Sequence, residues 1–174
     1  YIVSNYVAGD FTVTRRYETP SSSNVSSTVV FNEINSGYGF VNFAGHGSSL
    51  VWEVRHHTGD AYTYIHARSQ TNGYMLPAIF AMSCSTADWA GTDRCIGEEF
   101  LLNPDGGAIA YYGASGIAWA LEGHSIVYGL AGELDWRFLK ALMENTYAAN
   151  GYAGVVWAQA LTEYVQSHDI SHYQ

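Results

Sequence analysis

Two residues in this chain have side chains suited to covalent chemistry, and both stand in turns built from small residues. His46 lies in Gly45-His46-Gly47-Ser48-Ser49 and Cys84 in Ser83-Cys84-Ser85. An imidazole next to a thiol favours the thiolate by charge pairing and later protonates a leaving amine, as nucleophilic cysteine catalysis requires. Glycine on both sides of His46 lets a substrate carbonyl approach the backbone. The N–H of Gly47, with that of Cys84, would then supply an oxyanion hole. Taken singly, each residue has an ordinary reading. Free Cys is among the most buried residue types, and a His in a Gly-rich turn is commonly a polar loop residue. Each turn, however, closes an apolar run of strand length. Gly39-Phe40-Val41-Asn42-Phe43-Ala44 precedes the His, Ala78-Ile79-Phe80-Ala81-Met82 precedes the Cys, and the two residues are 38 positions apart. Together they carry the catalytic reading.

Apolar runs without alternation suit strands covered on both faces, as in a parallel sheet between helices. A third run, Gly107-Ala108-Ile109-Ala110-Tyr111-Tyr112, ends in Gly113-Ala114-Ser115-Gly116. In open α/β sheets the ligand crevice lies beyond the carboxyl ends of the strands, so parallel neighbours would bring His46 and Cys84 to one rim. Helices are expected at 25–34, closed by Asn35-Ser36-Gly37, around 61–70, and at 95–102 before Pro104. Two more follow at 134–142, on the spacing of Leu134, Phe138, Ala141 and Leu142, and at 155–165. A short strand is expected at 11–17, with a loop at 19–23. Strands alternating with helices predict an α/β layered domain. The 174 residues suit one domain, with no linker that would divide them.

Composition narrows the classes. Apolar residues make up 48% and charged residues 13%, the reverse of the balance that intrinsic disorder needs. No apolar run reaches the roughly 20 residues of a membrane-spanning helix. Sixteen acidic residues against seven basic ones give a net charge of −9, which repels a phosphate backbone and argues against nucleic acid as a partner. Such a surface suits basic peptides or cations. Cys84 and Cys95 form either one short-loop bridge or two free thiols. The opening Tyr1-Ile2-Val3-Ser4 has no initiator Met and no basic leader, so the chain reads as beginning mid-protein. Scarce Lys with abundant Tyr, Ser, Asn and Gly is compatible with secretion. A metal-dependent hydrolase using His56, His57, Asp60 and His66 is the competing chemistry. Adjacent His side chains point apart in regular structure and no His-x-x-x-His spacing occurs among these residues, so a solvated loop is favoured there. His124, His168 and His172 read as surface residues. Asp88 and Trp89, just past Cys84, either line a cleft or cap the turn.

The run Ile34-Asn35-Ser36-Gly37-Tyr38-Gly39-Phe40-Val41-Asn42-Phe43-Ala44-Gly45-His46-Gly47-Ser48 resembles the His block of the gingipain-type cysteine peptidases. Phe80-Ala81-Met82-Ser83-Cys84-Ser85 is similar to their nucleophile block. Cys95-Ile96-Gly97-Glu98-Glu99-Phe100 and Gly107-Ala108-Ile109-Ala110-Tyr111-Tyr112-Gly113-Ala114-Ser115 resemble the segments that follow, in the same order, from about residue 25 to the C-terminus. The resemblance implies a caspase-like three-layer α/β/α sandwich with a mostly parallel sheet. It also implies an endopeptidase with Cys84 as nucleophile, His46 as general acid/base, Gly47 as an oxyanion-hole donor and Cys95 in a structural role. Ser115-Gly116-Ile117-Ala118-Trp119 looks like the family's pocket wall, with Trp119 able to stack on a long P1 side chain. Ser115, Trp119 and Asp88 are therefore the substrate-binding candidates.

The family's best-known members cut after Arg or Lys, with an acidic pocket group and a His-orienting carboxylate upstream of the His block. Here Asp10 and Glu18 are the only acids before Glu33. Caspase-like folds place at least two strands and a helix before the His strand. The expectation is therefore most of one peptidase domain over residues 1–174, without its first strand, with an N-terminal fragment of its own precursor as a partner beside protein or peptide substrates. The resemblance further implies a secreted or cell-surface location, no cofactor for the chemistry, and room for a structural calcium ion. The alternative is a catalytically inactive caspase-like binding or scaffold domain.

Overall fold

The computed structural model describes residues 7, 11–18, 25–55, 59–121, 128–144 and 152–168. They fall into two compact units, Arg15–Ala118 and a second composed of Tyr1–Thr14 with Trp119–Gln174. In chain order the first unit contains α1 (Ser27–Ser36), β1 (Phe40–Ala44), β2 (Gly47–Ser48), β3 (Val51–Arg55), β4 (Asp60–Thr63), α2 (Tyr64–Arg68), β5 (Ala78–Met82), α3 (Ile96–Leu101) and β6 (Ala110–Gly113). The second contains α4 (Leu130–Glu144) and α5 (Ala153–Ser167).

Local chemistry sets the first helix. The Ser26 side chain accepts the Val29 N–H at 3.2 Å and caps α1. Gly37, at φ 86°, ends it in a conformation that favours glycine. The three apolar runs then form one parallel sheet in the order β1-β5-β6. Phe40 stands opposite Ala78 and Ala44 opposite Met82, while Ala78 stands opposite Ala110 and Ala81 opposite Gly113. Central β5 buries Ile79, Phe80 and Ala81 in succession, as expected of a strand covered on both faces.

The stretch expected to be a solvated loop between the dyad strands holds a second sheet, antiparallel, in the order β2-β3-β4. Its strand β3 alternates, with Trp52 and Val54 buried and Val51 and Glu53 half-buried. The helix expected around 61–70 is correspondingly shorter. Ala61 and Tyr62 stand opposite Glu53 and Trp52 in the sheet, and only Tyr64–Arg68 is helical. Sheet pairing and burial of Tyr62 override the helical spacing there. The expected strand at 11–17 has no regular structure. β6 starts later than expected, at Ala110, and Gly107 ahead of it has φ 91°.

Trp52, with no exposed surface, ties the two sheets together. Its ring lies 4.8 Å from Phe43 of β1, 5.4 Å from Tyr62 of β4, 5.3 Å from Phe100 of α3 and 6.4 Å from Tyr111 of β6. Its Nε1 donates to the Tyr111 hydroxyl at 3.0 Å, so the indole's polar atom is satisfied inside the core. Burial pushes the Tyr111 phenol well above its ordinary value, which keeps it a neutral partner. In the second unit, Phe138 of α4 meets Trp157 of α5 edge-on at 5.9 Å. Arg137 Nε donates to buried Glu133 at 2.7 Å in the same unit.

Replacing Trp52 by Ala removes the shared partner of four rings. Trp52→Ala is expected to lower unfolding free energy by about 3–5 kcal/mol in urea titrations. Tyr111→Phe, which strands the indole N–H and removes the hydroxyl's hydrogen bond with Thr86, should cost about 1–3 kcal/mol. A Trp52→Ala variant as stable as the parent would refute this role for the indole.

Candidate active site

The ladder between β1 and β5 positions the two reactive residues. Every β1 residue faces the β5 residue 38 positions further on, and His46 and Cys84 have that same separation. Gly45 N–H donates to the Met82 carbonyl at 3.3 Å, which carries the pairing one step past the strands. His46 and Cys84 thus leave adjacent parallel strands at matching positions on the carboxyl edge of the sheet.

Cys84 is a half-buried free thiol whose Sγ lies 3.8 Å from the Ala118 carbonyl oxygen. The next residue, Ser85, has φ 55°, a left-handed backbone uncommon outside glycine. Its N–H donates to the Gly116 carbonyl at 2.7 Å, and the Ala87 N–H donates to the Ala114 carbonyl at 3.0 Å. These bonds lay residues 114–118, the segment after β6, along the Cys84 turn. Exposed Ser115 is therefore brought beside the nucleophile candidate.

On the His side, the His46 carbonyl accepts the Glu53 N–H at 2.9 Å, while Gly47 stands opposite Trp52. That pattern makes Gly47–Trp52 a pair without mutual hydrogen bonds, so the Gly47 N–H points away from β3. A Cβ on Gly47 would collide with Ser83 Oγ and come within 2.8 Å of the Val51 carbonyl. The His turn and the Cys turn thus touch where Gly47 meets buried Ser83, and only glycine fits that contact.

The other candidates fall into place less directly. Half-buried Asp88 donates its N–H to the Ser85 carbonyl at 3.2 Å and accepts the Gly91 N–H at 3.3 Å, so its backbone builds the turn after Cys84. Trp89 is half exposed and meets Tyr111 edge-on at 6.5 Å. Trp119 is exposed and belongs to the second unit, where its carbonyl accepts the Ala131 N–H at 3.1 Å. Cys95 is fully buried and free, and burial pushes its thiol up, away from the thiolate. Asp10, His56, His57, His124 and His172 lie outside the described residues. Asp60 Oδ2 accepts the Ser27 N–H at 3.0 Å, and His66 Nδ1 accepts the Thr63 N–H at 2.9 Å. Among the described residues no group of three or more His, Cys, Asp or Glu side chains is arranged to hold a metal ion.

Glu53 is absent from the sequence-predicted set. It lines a cavity of about 350 Å³ together with His46, Gly47, Val51 and Ala61. The alternation of Val51-Trp52-Glu53-Val54 after the Ser49-Leu50 turn is the signal that points to it.

A Cys and a His emerging at equivalent positions from neighbouring parallel strands are the arrangement of a caspase-like α/β domain. The model of Peptidase family C25 matches residues 2–174, and the chain belongs to that family of gingipain-type cysteine peptidases. Lys-gingipain HG66 of Porphyromonas gingivalis is 30% identical over 172 residues, which cover 91% of this chain and 9% of that protein. Gingipain R2 of the same species is 29% identical over 72 residues, 41% of this chain and 9% of the relative. Among solved structures, the Arg-specific cysteine proteinase gingipain R matches with a TM-score of 0.65 at 19% identity, over 85% of this chain and 32% of that one. The complex of the Porphyromonas gingivalis RgpB pro- and mature domains matches with a TM-score of 0.56 over 71% and 27%. The matched segments thus span about 9% of the length of each of these curated relatives. The structural likeness shows the caspase-like fold that the sequence blocks imply.

The contrast between the two thiols is directly measurable. Iodoacetamide applied to the folded protein should label Cys84 about tenfold or more faster than Cys95, read by peptide mass mapping. Equal rates under native conditions would contradict these placements.

Proposed function

We propose that this chain carries the catalytic centre of a gingipain-like cysteine endopeptidase, with Cys84 as nucleophile and His46 as general acid/base. The shared register of β1 and β5, which delivers both residues to one edge of the sheet, is the observation that carries the reading. In the proposed cycle the Cys84 thiolate attacks the scissile carbonyl carbon and a C–S bond forms. The oxyanion is held by the N–H groups of Gly47 and Cys84. The His46 imidazolium gives its proton to the leaving amine as the C–N bond breaks, leaving an acyl-enzyme. Water then attacks the thioester carbonyl and His46 takes its proton. The C–S bond breaks, the acid product departs, and the thiolate–imidazolium pair is restored.

Ser115 and Asp88 flank the substrate in this scheme, and the family resemblance gives Trp119 the role of stacking on the P1 side chain. Cleavage after basic residues is part of the proposal. It is supported by the net charge of −9 and by relatives described as Lys-gingipain and as an Arg-specific proteinase. A second part of this chain's own precursor is the proposed protein partner, in line with the pro- and mature-domain complex of RgpB. The proposed location is secreted or cell-surface. Among the described residues no helix is long and apolar enough to cross a membrane. The cycle needs no cofactor. A structural calcium ion would act away from the chemistry, and none of the described side chains is assigned to it.

The test uses the whole protein that contains this chain. Cys84→Ala and His46→Ala should each lower kcat/KM on Arg- or Lys-containing peptides by about 10³-fold or more, with the melting temperature retained. Peptides with Arg or Lys at P1 should be preferred over matched Ala or Asp peptides. Activity that survives Cys84→Ala overturns the mechanism, and a parent protein that binds peptides but never cleaves them is a scaffold.

A further inference from the structure

We infer that Thr86 is a positioning residue for the oxyanion hole, because a buried hydrogen-bond chain passes through its hydroxyl to the peptide that carries the Cys84 N–H. The inference rests on the cysteine peptidase reading proposed above and concerns what prepares one of its two oxyanion donors.

The chain of bonds starts in the core and runs one way. Trp52 Nε1 donates to the Tyr111 hydroxyl at 3.0 Å. Tyr111 shares a hydrogen bond with the Thr86 side chain. Thr86 Oγ1 in turn donates to the Ser83 carbonyl at 3.5 Å. An indole N–H can only donate, so each hydroxyl points its own proton at the next acceptor. Trp52 and Thr86 have no exposed surface and Ser83 almost none, so water does not compete for these bonds.

The last acceptor gives the chain its effect. The Ser83 carbonyl and the Cys84 N–H belong to one planar peptide unit. A donor on that carbonyl fixes the plane of the peptide and polarises its N–H, more so once the N–H meets a negative charge. The Thr86 bond is long in the free chain and strengthens as the oxyanion forms, so its gain is specific to that step. Among the described residues nothing accepts the Cys84 N–H, which leaves it for the substrate oxygen.

Three glycines from three elements hold Thr86 on this path. A Cβ on Gly113 of β6 would stand 2.8 Å from Thr86 Oγ1, and one on Gly97 of α3 would stand 3.0 Å from its carbonyl oxygen. One on Gly47 would stand 3.3 Å from its Cγ2. Gly47 is the other proposed oxyanion donor, so Thr86 packs its methyl toward one donor and serves the other through its hydroxyl. Valine would fill the same space, but only a hydroxyl completes the chain. As the C–S bond forms, the carbonyl electron pair moves to the substrate oxygen, and it returns as the C–N bond breaks. Every proton of the chain stays on its own atom.

The experiment measures Thr86→Val, Thr86→Ser and Tyr111→Phe in the whole protein, beside Cys84→Ala and His46→Ala. Each rate is normalised to the amount of Cys84 that iodoacetamide can label. Thr86→Val should lower kcat on the order of 10-fold, less than the roughly 10²–10³-fold lost with an oxyanion donor itself, at nearly unchanged KM. Cys84 should be alkylated at close to the parental rate, because the thiolate is untouched. A peptide aldehyde, whose thiohemiacetal oxygen enters the hole, should lose about tenfold in affinity relative to the matched alcohol. Thr86→Ser should keep most of kcat, and Tyr111→Phe should lower it in the same direction as Thr86→Val. Parental kcat per labelled site in Thr86→Val overturns the inference, and so do equal losses in Thr86→Ser and Thr86→Val, which would be a packing effect. In either case the dyad still stands if Cys84→Ala and His46→Ala are inactive. An active Cys84→Ala enzyme instead removes the dyad reading itself.

Discussion

Along β1 and β5 the backbone is shared step for step, from Phe40 opposite Ala78 to Ala44 opposite Met82, and the rest of the site follows from that pairing. A slip of one residue would turn one strand's side chains to the wrong face. It would also carry Cys84 out of line with His46. The slip is opposed by burial, because Ile79, Phe80 and Ala81 fill space on both sides of β5 and have no exposed face to move to. The alignment of His46 with Cys84 and the packing of the core are therefore one constraint. The residues that fix it lie inside the sheet, several positions before the chemistry.

The aromatic cluster around Trp52 extends that constraint to the hairpin. Phe43 belongs to β1 and Tyr111 to β6, and both stack on a ring carried by β3. The strand that faces His46 and Gly47 is thus anchored to the sheet that presents Cys84. Hydrogen bonds alone would leave the short β2–β3 hairpin marginal, since isolated two-stranded ribbons are barely stable in water. Burial of a complete indole, with its N–H satisfied by Tyr111, provides the missing stability.

These two layers differ in how far the sequence reveals them. The parallel strands are legible because β1, β5 and β6 are apolar runs ending in small-residue turns. The pairing of His46 with Cys84 is legible because their turns repeat the same pattern 38 positions apart. The hairpin is not, because β2 has two residues, too few for alternation to register. Residue types over 61–68 do not by themselves separate strand from helix, and the pairing of Tyr62 with Trp52 decides at the start of that stretch. Glu53 looks like an ordinary surface acid until the register sets it opposite His46. Cross-strand neighbours are encoded in pairing, which no single segment displays.

The small residues around His46 and Cys84 have a physical reason that differs from position to position. Gly47 is small because Ser83 and the Val51 carbonyl occupy the space a side chain would take. Ser85 accepts a left-handed backbone that costs roughly 1–3 kcal/mol, and its N–H is held by the Gly116 carbonyl in return. That geometry turns the chain sharply just after Cys84 and sends it alongside residues 114–118. A regular continuation of β5 would instead point the thiol at one covered face of the sheet. The strain is tolerable because it sits at the edge of an over-determined core, between a ladder on one side and the bonds from Ser85 and Ala87 on the other. The candidate site thus lies where the sheet stops pairing and starts to turn.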